Sequence, residues 1–145
     1  MERYPNALAA LHELRLLLLE IKAQSLKAQW LRNSLYGLAP SCGAVRRISV
    51  RSQEDRILDM IELEDGLAMK RRWFCHLAKQ MRTTLARAVD RDAARLLWLM
   101  HVRGLSENAA RKALALDPAA FAETLKRGLK QLESALARRG RLRCP

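Results

Sequence analysis

Lys126, Arg127, Lys130, Arg138, Arg139, Arg141 and Arg143 crowd the last fifth of the chain. Lysine and arginine at such density have one obvious chemistry, the neutralisation of phosphates along a polyanion. Arg127 and Lys130 stand three apart, so a helix would present both on one side. Arg111 and Lys112, a short way upstream, could reach phosphates beside the same groove. Other chemistry finds little support. His12, His76 and His101 have no second His, Cys or carboxylate at the spacing of a helical metal pair. Cys42, Cys75 and Cys144 are odd in number and far apart, which supplies neither a disulfide framework nor a CxxC zinc site. Glu62, Glu64 and Asp65 are best read as a solvated helix face. There is no Walker loop, GxGxxG or nucleophile elbow, so no enzyme, cofactor or metal is expected.

The element that must carry these cations begins at Pro118. Asp117 is placed to cap it, proline suits the first helical position, and Phe121, Leu125, Leu129, Leu132 and Leu136 recur at threes and fours. One face is therefore buried, and the cations lie on or beside the other. A shorter helix is predicted over Glu107 to Ala115, capped by Ser106. Before it, Leu96, Leu97, Leu99, Met100 and Val102 give the apolar face of a leading helix that Gly104 ends.

The run LLWLMHVRGLSENAARKALALDPAAFAETLKRGLKQLESAL resembles the region 4 helix-turn-helix of sigma-70-type factors. The whole chain is similar to phage-encoded transcriptional regulators of the RinA/ArpU type. The resemblance is gap-free from Gly104 to Leu132, with Gly104-Leu105-Ser106 at the pre-turn motif, Ala110 at an apolar core position and Phe121 and Leu125 on the buried face of the recognition helix. It implies a transcriptional regulator that lays the helix 118–139 in the major groove of double-stranded DNA, using Arg111, Lys112, Lys126, Arg127, Lys130 and the Arg138, Arg139, Arg141, Arg143 tail. Two departures stand out: Arg111 replaces a common small alanine, and Ala115 occupies the usual turn glycine. The helix start, Pro118-Ala119-Ala120 with Ala122 and Glu123, offers few groups to base edges. The alternative is a protein-interaction module whose degenerate helix-turn-helix binds RNA polymerase or a sigma factor.

The fold class expected is all-α: leucine and alanine dominate, β-branched residues are few, and no strand run appears. Residues 1–89 are read as a long antiparallel, coiled-coil-like arm and residues 90–145 as the trihelical unit with its basic tail. The arm's first helix is predicted from about Asn6 to Tyr36. Leu11, Leu14, Leu18, Ile21, Ser25 and Ala28 form its seam, widened by Leu8, Leu26, Trp30, Leu31 and Leu35. A connection over 37–51 follows, carrying Arg46, Arg47 and Arg51. Ser52 is expected to cap the second helix, with a stripe of Ile57, Met60, Ile61, Leu67, Phe74, Leu77, Met81 and Leu85. Trp30, Trp73 and Trp98 are expected in the core or at an interface. The first helix is long enough to leave surface for a homodimer through the arm.

The net charge of +12 is uneven. Residues 91–145 hold twelve Lys/Arg against five Asp/Glu, whereas residues 53–90 hold seven of each. In that middle helix the acids come first and the bases last, an order the helix dipole favours without any partner. Neither a membrane span nor a secretion signal is read, and the cysteine usage agrees with a cytoplasmic protein.

Overall fold

The computed structural model describes residues 3–35 and 50–142, with the side chains of residues 50–52 and 140–142 outside the description. Every regular element among them is helical: α1 (Pro5–Leu35), α2 (Val50–Ala88), α3 (Arg91–Leu97), α4 (Glu107–Leu114) and α5 (Pro118–Leu142). A π-helical turn, Trp98–Val102, continues α3. No helix among the described residues is long and apolar enough to cross a membrane. The connection at 36–49, with Arg46 and Arg47, lies outside the described residues, whereas Arg51, expected in that connection, belongs to α2. The second helix starts at Val50, two residues before the expected cap at Ser52.

The chain forms two units, Met1–Leu18 with Cys75–Pro145, and Leu19–Phe74. In the second, α1 and α2 run antiparallel. Arg32 pairs with Glu64 while Glu20, three turns earlier, pairs with Lys70 at 3.3 Å, and Arg71 donates to Ser25 Oγ at 3.1 Å. Ile21, Ala28 and Leu67 are buried there. Several residues expected in this seam lie outside it. Leu26 and Trp30 are about two-thirds exposed, and Ile57, Ile61 and Trp73 are also exposed. The reason is angular. Ile21 and Ala28 define the covered side of α1, and at 100° per residue Leu26 and Trp30 fall half a turn away.

The first unit holds the larger core. Leu11, Leu14, Leu96, Leu97, Val102 and Leu132 are its largest fully buried side chains. Leu96, Ala110 and Phe121 join α3, α4 and α5 in one cluster, with Met100, Leu114, Leu116 and Leu125 packed around it. This is the face predicted for α5, with Thr124 and Gly128 buried beside it. Gly128 sits where α5 meets α3. A Cβ there would stand 3.0 Å from Ala93 Cβ and 3.2 Å from Leu97 Cδ1, so the two helices touch almost at the backbone.

The expected caps are in place. Ala109 N–H donates to Ser106 Oγ at 3.2 Å, and Ala120 N–H donates to Asp117 Oδ1 at 2.6 Å. Gly104 adopts φ 73° after the π-helical turn. Ala115 is the surprise, with φ 52° at the end of α4. Its position is held by Leu116 N–H bonding to Arg111 O at 3.0 Å, the closing bond of a Schellman-type turn. An L-residue in this region is crowded by its own Cβ at a cost of roughly 1 to 2 kcal/mol. The start of α1 is capped from far along the chain. Asn6 Nδ2 and Ala7 N–H donate to the Glu133 carboxylate at 2.9 and 2.7 Å.

Ala115→Gly relieves the left-handed strain but adds freedom to the unfolded chain, so chemical denaturation should find a gain of up to about 1 kcal/mol. A loss would mean that the Ala115 methyl contributes packing. His101 should give the fold a pH dependence, because its Nε2 is buried without a hydrogen-bond partner. Burial, and then the nearby Arg15 guanidinium, hold its pKa below the ordinary 6.5. The unfolded chain therefore takes up this proton first, and unfolding becomes easier as pH falls below about 6.5. Stability should rise with pH through that window and level off above it. His101→Gln should flatten this part of the melting temperature against pH curve, and parallel curves for the two proteins would refute the assignment.

Candidate nucleic-acid interface

The last turns of α2 and the second half of α5 form an open groove of about 770 Å³. From α2 come Thr84, Arg87 and Ala88. From α5 come Arg127, Lys130, Gln131, Ser134, Ala135, Arg138 and Arg139. Five of these ten residues are cationic and none is acidic. The α5 contribution follows from helical spacing. Arg127, Lys130, Ser134 and Arg138 recur at three and four, opposite the buried Phe121 and Leu132 and the partly buried Leu125. The polar floor, Gln131 and Ser134, supplies hydrogen-bonding groups between the charges.

Asp90 holds the α2 end of the groove in place. It precedes α3, where its carboxylate could have capped the helix, but it makes no such bond. Instead Asp90 Oδ2 accepts from Arg127 Nε at 2.8 Å, and Asp90 N–H donates to Gln131 Oε1 at 3.1 Å. Glu123, four residues before Arg127 on the same helix, is within reach of it by spacing, but the described ion pair goes to Asp90. A backbone hydrogen bond to Gln131 already fixes Asp90 beside α5, so its carboxylate reaches Arg127 at little further entropic cost. Both side chains are about half exposed, at 47% and 53%. Such a pair is worth at most about 1 kcal/mol, so a competing phosphate can displace the carboxylate.

The nine cations singled out in the sequence separate into groups. Arg127, Lys130, Arg138 and Arg139 share the groove with Arg87. Arg111 and Lys126 line a different hollow of about 430 Å³ between α4 and the start of α5, together with Glu107, Phe121 and Leu125. Lys112 is exposed on α4. The side chains of Arg141 and Arg143 lie outside the described residues. Sequence reasoning missed Arg87, Asp90 and Gln131. Gln131 could have been found, since it lies four after Arg127 on a helix whose buried face was known. Arg87 and Asp90 could not, because only the packing of α2 beside α5 brings them there.

A third surface carries positive charge over an apolar floor. Arg82 lies over the Trp98 ring at 4.8 Å from its centroid, and Arg91 and Arg95 complete the rim of a hollow lined by Leu85, Val89 and Leu99. The cation–π contact gives Trp98 a structural role. Compared with protein-family models, curated proteins and solved structures, the chain matches none of them.

Proposed function

We propose that the chain is a DNA-binding transcriptional regulator, of the phage type its sequence resembles, that docks α5 against double-stranded DNA. The observation that carries this reading is the groove of Arg87, Arg127, Lys130, Arg138 and Arg139, five cations with no acid among the lining residues. Helix α5 lies in the major groove in this reading, with Arg127 and Lys130 turned to the bases or their phosphates. Arg138 and Arg139 hold the backbone beyond, joined by Arg141 and Arg143, while Arg111, Lys112 and Lys126 contact the flanking strand. Affinity comes mainly from counterion release, because lysine and arginine greatly outnumber the groups able to read a base edge.

A second reading is favoured by the hollow between α4 and α5. Pro118, Phe121, Ala122 and Leu125 give it an apolar wall where a DNA reader would carry hydrogen-bonding side chains. That surface suits a protein partner such as RNA polymerase or a sigma factor.

Fluorescence anisotropy on labelled duplexes separates the two. If the five groove cations each neutralise a phosphate, log affinity against log salt should fall with a slope of about −4 to −5. Binding that does not change between low and moderate salt would eliminate the groove as a DNA surface. Single substitutions then locate the contact. Arg127→Ala should cost about 1 to 3 kcal/mol and relax preference at one position if it reads a base, or lower the salt slope by about 1 if it holds a phosphate. Asp90→Asn should tighten binding by up to about fivefold, because it frees Arg127 and removes a charge that phosphate repels. Since Asp90 makes no side-chain cap, its replacement should leave the melting temperature nearly unchanged. No effect from either substitution would exclude Arg127 from the interface.

A further inference from the structure

We infer that the outer face of α1 is the contact surface of a two-fold homodimer, with two copies of α1 crossing antiparallel at Ala23. Within the Leu19–Phe74 unit, α1 buries Ile21 and Ala28 against α2. Half a turn away, Leu19, Ala23, Leu26 and Trp30 recur at intervals of four, three and four, and all four are exposed. Leu26 stands at 68% and Trp30 at 67% exposure. Alternating three and four spacing is the seam of a helix pair, and α2 already fills the opposite seam. A helix apolar on both sides is built for two neighbours.

The charges beside the stripe select a second copy as the occupant. Glu20 lies one turn before Ala23 and Lys27 one turn after it, both displaced to the same side of the stripe at 100° per residue. A two-fold axis passing between the two Ala23 residues reverses the second helix while keeping that side facing itself. Glu20 of each copy then lies beside the partner's Lys27, giving two equivalent pairs. The small side chain of Ala23 lets the backbones approach at the axis. Glu20 uses one oxygen, Oε2, on Lys70 and retains the other. The outer face of α2 is not self-complementary in this way. Its exposed Ile61 and Met69 are centred on Asp65, so the same operation would set two like charges together.

Sedimentation velocity of the full chain over about a hundredfold range of concentration, without nucleic acid, tests this independently of the DNA reading. The expected result is a reversible monomer–dimer equilibrium that Leu26→Glu and Trp30→Glu each weaken at least tenfold, with unchanged helicity by circular dichroism. Ile61→Glu should leave association intact. Ala23→Cys, with Cys42, Cys75 and Cys144 changed to Ser, should oxidise to a covalent dimer because the two Ala23 positions meet at the axis. A chain monomeric throughout overturns the proposal. So does a dimer that survives both α1 substitutions and is lost with Ile61→Glu, or one in which the Ala23→Cys variant fails to cross-link.

Discussion

The close approach of α3 and α5 at Gly128 is the constraint on which the first unit depends. With no Cβ at that position, α5 settles onto Ala93 and Leu97, and Phe121 and Leu125 pack with Leu96 and Ala110. A Cβ there would meet Ala93 Cβ and the Leu97 side chain, which would have to give by a few tenths of an ångström for the two helices to stay this close. Displacing α3 would also move Asp90, which stands one residue before it. The contacts of Asp90 with Arg127 and Gln131 are therefore tied to how closely α3 and α5 pack at Gly128.

Helix α5 also organises the polar contacts of this unit. Over two turns it offers Arg127 and Gln131 to Asp90 and Glu133 to the first turn of α1. The Glu133 contact satisfies an amide that a helix start would otherwise leave exposed to solvent, and places a negative charge at the positive end of the α1 dipole. Hydrogen bonds to charged groups are stronger than neutral ones and more demanding of geometry. The buried Phe121, Leu129 and Leu132 set the rotation of α5, and these contacts add to it on the side that faces α2. The core supplies most of the stability.

Local signals were legible in the sequence and long-range ones were not. Ser106 and Asp117 cap the helices they were expected to cap, and the α5 stripe was read in the right register, because both depend only on neighbours within one or two turns. The all-α class was equally plain from the shortage of β-branched residues. Leu26 and Trp30 misled because α1 carries apolar residues on two faces, and periodicity alone does not say which face α2 takes. Of the residues lining the groove, the α5 cations were visible in the sequence. Arg87 and Asp90 were not, since their role comes from packing between segments some forty residues apart. Ala115 illustrates the opposite limit: its residue type argued against a left-handed turn, yet the Leu116 to Arg111 bond closes one there.

The Glu133 contact with Asn6 and Ala7 joins positions 127 and 126 residues apart, and this has a consequence for biosynthesis. Leu19–Phe74 is a continuous stretch, so its antiparallel pair can form while the rest of the polypeptide is still being made. The unit built from both chain segments cannot close until α5 has left the ribosome. Until then Leu11 and Leu14, buried in that unit, lack a completed core around them. The first half of α1 therefore spends most of translation with apolar surface uncovered.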